Sequence, residues 1–101
     1  MIARIWRGAT RVEDADAYAA YMGGTGVDAL HGTPGNEGVF MLRRIDGDRA
    51  EFVVLSLWSS EEAIRGFAGD DIFVAVFYPE DERYLIEREL SVTHYEVVDR
   101  R

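Results

Sequence analysis

The stretch Ala50–Trp58 places the tightest limit on the fold. Strict alternation puts Phe52, Val54, Ser56 and Trp58 on one face of a strand and Val53, Leu55 and Leu57 on the other. A half-solvated antiparallel strand shows polar residues on its outer face; here neither face does, so both need cover. The preceding run from Gly38 to Ile45, rich in Val39, Phe40, Met41 and Leu42, is its hairpin partner, closed by Asp46-Gly47. An opening strand over residues 2–8 carries large side chains on both faces as well, with Ile2, Arg4 and Trp6 on one and Ala3, Ile5 and Arg7 on the other.

Helical spacing takes over from Glu13. Ala15, Tyr18, Ala19, Met22 and Leu30 form an apolar stripe, and Glu13, Asp14 and Asp16 sit where the N-terminal dipole favours acids. Gly23, Gly24 and Gly26 predict a kink or break, at a cost of about 1 kcal/mol each relative to Ala. Ser59-Ser60-Glu61-Glu62 reads as a capping box, a serine three residues ahead of a glutamate, opening a second helix whose stripe of Ala63, Ile64, Phe67 and Ala68 stops at Gly69. Asp70 and Asp71 cap a short turn through Ile72–Val76, Pro79 precedes a further helical turn over Glu80–Leu85, and Leu90–Val98 is the last strand. Glu80-Asp81-Glu82 reads as a solvated helix start. The order is βαββαβ, an α+β ferredoxin-like unit with sheet order 4-1-3-2, and residues 1–101 form one domain. Helices cover one sheet face. The other face is larger and more apolar than a monomer normally exposes, which predicts a homodimer packed sheet to sheet.

Composition narrows the function classes. Nineteen Asp and Glu against eleven Lys and Arg give a net charge of −8, which disfavours nucleic acid and anionic membranes as partners. The absence of cysteine removes disulfides, thiolate nucleophiles and cysteine-based metal sites. Charges within the first seven residues and the lack of any long apolar run lead to the expectation of a soluble, cytoplasmic protein. His94 and Glu96 share a strand face but are too few to hold a metal, and His31 is not brought near them. No metal or cofactor is expected. The Gly23–Gly26 segment follows a helix and lacks the residues of a phosphate loop.

The ensemble of Ile2–Arg7, Gly35–Arg44, Leu57–Ile64 leading into Phe67, and His94-Tyr95-Glu96-Val97 resembles the antibiotic biosynthesis monooxygenase superfamily, which implies a dimeric α/β barrel. The superfamily is mixed in activity. Its haem-degrading branch uses an Asn on the first strand, a Trp on the second helix and an axial His after it. Here the first strand has no Asn, Phe67 stands at the Trp position, and Ile72–Phe77 has no His, so the resemblance does not extend to haem degradation. The branch that oxygenates aromatics uses Trp, Asn, Tyr and Arg in its pocket, and Trp6, Trp58, Arg4 and Tyr78 offer three of those types.

The first and last strands are expected to be antiparallel neighbours, so Arg4 or Trp6 can lie beside His94. Arg4 would then bind a developing oxyanion, His94 would remove a hydroxyl proton, and Trp6, Trp58, Phe67 and Tyr78 would wall a small aromatic or phenolic ligand. The bland alternative pairs Arg4 with Glu96 across the strands and places Trp6 in the core or at the dimer interface. The expected function is a cofactor-independent monooxygenase of a small aromatic or phenolic metabolite; the alternative is a non-catalytic, ligand-binding or stress-related dimeric barrel that uses the same cavity without turnover.

Overall fold

The computed structural model describes residues 1–101. Strand β1 (Ile2–Arg11) runs into a short 3-10 turn and helix α1 (Ala15–Met22). A π-helical turn over Gly23–Val27 joins α1 to α2 (Asp28–Gly32). The glycines therefore widen the helix rather than break it: the flanking residues stay right-handed, and the Thr25 hydroxyl donates to the Tyr21 carbonyl. The β2 (Asn36–Asp46) and β3 (Arg49–Trp58) strands form the expected hairpin, with Gly47 at φ 64° in the turn position that demands a left-handed residue. Helix α3 (Glu61–Ala68) follows, then a long strap, α4 (Asp81–Tyr84), β4 (Leu85–Arg88) and β5 (Thr93–Glu96).

The structure corrects three expectations. The cap of α3 is Ser60, whose Oγ accepts from the Ala63 amide at 3.1 Å, so Ala63 occupies the position where a capping box needs a glutamate. The expected helix over Glu80–Leu85 is four residues long and gives way to β4. The final strand is shortened to Thr93–Glu96. All ten residues of β1 pair with β3, which leaves its other edge free for two short strands end to end: β5 opposite Ile2–Ile5 and β4 opposite Gly8–Thr10. The sheet order is β2-β3-β1 with β4 and β5 sharing the last place, which is the expected order with one extra strand.

The core lies between the helices and one sheet face. Ala50, Phe52, Val54 and Trp58 of β3 meet Tyr18 and Met22 of α1, Leu30 of α2 and Ile64 of α3. Tyr18 packs edge-on to Phe52 with centroids 5.0 Å apart. On the opposite face, register aligns Phe40, Leu55 and Ile5 in one row and Leu42 with Val53 in the next. Phe40 and Leu42 there are 54% and 49% exposed. Toward the hairpin end this face turns ionic: Arg44 pairs with Glu51 at 2.6 Å and Arg49 with Glu87 at 3.0 Å.

Candidate functional site

A cavity of about 50 Å³, room for a few waters, opens between the sheet and the helices. Its floor is Arg4 and Trp6 of β1 with Val54 and Ser56 of β3. Met22, Gly26 and Leu30 close one side and Phe67 of α3 another, while the strap supplies Val76, Phe77 and Tyr78 as a roof, with Asp81 at the start of α4. The widened helical turn brings Gly26 to the lining: a Cβ there would stand 2.7 Å from Met22 Sδ and 3.6 Å from the Tyr78 ring.

Arg4 is 4% exposed, on the helix-facing side of β1 with Ile2 and Trp6. Its guanidinium donates to the carbonyls of Ile72 (2.5 Å) and Val74 (3.1 Å) and lies 5.6 Å from the centre of the Phe67 ring. It forms no ion pair: Glu96 stands opposite Ile2, and the residue opposite Arg4 is His94. Burial, with no carboxylate to offset it, pulls the Arg4 pKa down to about 10. A guanidinium carries five N–H donors, so two carbonyls leave capacity for a ligand oxygen.

Trp6 lies against the cavity with its indole over Gly8 and edge-on to Phe77, but its Nε1 is already committed to the Glu89 carbonyl at 2.9 Å. It offers a wall, not a hydrogen bond. Phe67 and Tyr78 also line the cavity. Trp58 and His94 do not reach the cavity. Trp58 is fully buried behind Phe67, its Nε1 donating to Ser56 Oγ at 2.8 Å. His94 packs edge-on to Phe73 at 5.2 Å, and both its nitrogens are buried without a hydrogen-bond partner. Burial and then the Arg4 charge hold the imidazole below its ordinary pKa, against a smaller opposite pull from Glu61. The expected trio of Arg4, Trp6 and His94 thus shares one sheet face, with Arg4 and His94 in register, but only Arg4 and Trp6 face the cavity.

Sequence reasoning missed Asp81. Its neighbours Glu80 and Glu82 are exposed, whereas Asp81 is 2% exposed. Oδ2 accepts from the Tyr78 amide at 2.6 Å, and Oδ1 has no partner. Burial raises its pKa, opposed by the Tyr78 amide and by Arg88. The only advance signal was Pro79, which marks a turn capable of folding the next carboxylate inward.

No family model matches the sequence, and no curated protein matches it. Solved structures do. A candidate antibiotic biosynthesis monooxygenase from Bacillus cereus superposes with a TM-score of 0.69 at 17% identity, covering 99% of this chain and 95% of that one. The heme-degrader MhuD from Mycobacterium tuberculosis, with two hemes in its active site, gives a TM-score of 0.59 at 20% identity, covering 99% and 98%. The chain shares its α+β fold with these proteins. A MhuD mutant with two manganese protoporphyrin IX per active site agrees, at a TM-score of 0.60 and 20% identity over 99% and 97%.

The cavity lining, as this chain builds it, offers a haem iron no histidine ligand. No imidazole lines the cavity: His31 lies at the far end of α2, and His94 lies outside the lining.

Proposed function

We propose that this chain is a cytoplasmic, cofactor-independent monooxygenase acting on a small aromatic or phenolic compound held in the cavity between sheet and helices. The carrying observation is Arg4, a buried guanidinium without a carboxylate partner, set among aromatic walls. A cation already stripped of water stabilises a phenolate without reorganising at the moment of reaction. Trp6, Phe67 and Tyr78 stack against the ring, while Trp58 supports Phe67 from behind. In the overall change a ring C–H becomes C=O as phenol and dioxygen give quinone and one water. The ring loses four electrons and dioxygen takes four, so no external reductant is needed.

Ligand binding without turnover is the second reading, favoured by the position of His94, whose nitrogens lie outside the cavity and cannot serve as its base. Oxygen uptake by metal-free, flavin-free protein over a panel of phenols separates the two. Uptake should persist, and Arg4→Met should lower kcat/KM by about 10–100-fold, the worth of one charge-assisted hydrogen bond. Phenol binding by calorimetry without uptake leaves the second reading; neither binding nor uptake overturns both.

We also infer that a second copy covers the open sheet face. The support is the contiguous apolar row of Phe40, Leu55 and Ile5 beside Leu42 and Val53, in which Phe40 and Leu42 are about half exposed.

A further inference from the structure

Two buried polar groups line the cavity without satisfying each other. Arg4 brings positive charge and unused donors; Asp81 brings a buried oxygen, Oδ1, that has no hydrogen-bond partner in the chain. The nearby candidates to satisfy Oδ1 are engaged elsewhere or out of reach. Arg88 acts on Asp81 only through space, since its guanidinium is 3.5 Å from Glu82 and lies over the Phe77 ring. The Tyr18 hydroxyl also senses the Asp81 charge, yet makes no hydrogen bond of its own. A buried carboxylate oxygen left unpaired costs several times what an ordinary hydrogen bond contributes, so it strongly rewards whatever ligand supplies the missing donor.

We propose that Asp81 determines specificity by demanding a hydrogen-bond donor on the ligand at a position remote from the oxygen that Arg4 holds. This rests on the reading of Arg4 given above. The substrate class narrows from phenols at large to aromatics with two polar substituents, one an acidic hydroxyl that Arg4 takes as its oxyanion, the other a hydroxyl or N–H that donates to Asp81 Oδ1. Asp81 is a specificity residue with a built second anchor: its Oδ2 is fixed by the Tyr78 amide, so Oδ1 cannot swing away to find water without breaking that bond.

The test uses two matched pairs of probes under nitrogen, hydroquinone against 4-methoxyphenol and resorcinol against 3-methoxyphenol, with dissociation constants from calorimetry. Within each pair the phenol oxygen for Arg4 is retained and the second donor is lost. The wild-type protein should bind the dihydroxy member of at least one pair tenfold or more tightly. In Asp81→Asn, the side-chain oxygen keeps the Tyr78 amide and the amide nitrogen turns to the cavity, so that preference should fall to about one or invert in favour of the ether. Equal binding within both wild-type pairs overturns the Asp81 assignment and leaves the Arg4 reading standing. So does a preference that Asp81→Asn leaves unchanged. If no probe binds, both fall.

Discussion

Asp81 and His94 are buried titratable groups of opposite sign, and they act on stability in opposite pH directions. Asp81 has a raised pKa in the folded chain, so folding favours its protonated form; the stability it contributes is full below its ordinary value near 4 and is lost as pH rises through the folded value. Asp81→Asn should therefore flatten the stability profile above about pH 4 and hold or raise urea resistance at neutral pH. His94 has a lowered pKa, so its contribution is present above about 6.5 and lost as pH falls through the folded value. His94→Phe, which also removes two orphaned nitrogens, should narrow the gap in denaturation midpoint between about pH 7.5 and 5.5. Arg4 could be found in advance because alternation placed it beside Ile2 and Trp6 on a buried face. Asp81 could not, because only the fold separates it from the two solvated glutamates on either side.

At the level of elements, patterns of period read correctly while termini and edges did not. The hairpin over residues 36–58 and the stripe of α3 follow from alternation and spacing within one segment. Strand β4 does not: Leu85–Arg88 has no pattern of its own, and it becomes a strand because β1 has a free edge opposite Gly8–Thr10. The glycine-rich turn after α1 divides by position. Gly24 is exposed with nothing near its missing side chain, so Gly24→Ala should stabilise the chain by about 0.5–1 kcal/mol in chemical denaturation. Gly26→Ala should do otherwise, forcing Met22 Sδ to move and filling part of the cavity; weaker phenol binding with little gain in stability is expected by calorimetry and melting. Ser60→Ala removes the one side-chain cap of α3 and should cost about 1 kcal/mol.

For the whole molecule, the two-sided apolar character of β3 led to the correct layering, helices over one face and a bare sheet on the other. Which copy of which protein covers the bare side is a property no single chain displays. Under the proposed pairing, the wild type should sediment as a dimer at micromolar concentration, and Phe40→Asp should give a folded single subunit, because Phe40 lies on the outer face and touches none of the helix-side core. A single subunit in the wild type would overturn the pairing.

The two indoles of this molecule sit in unlike surroundings: one forms part of a chamber wall, and the other is sealed off with its ring nitrogen on a serine. Fluorescence therefore reports two events separately. Occupancy should quench or shift the Trp6 band and leave that of Trp58 in place, whereas melting should redden both, so an untagged sample can be followed through loading and denaturation by emission alone.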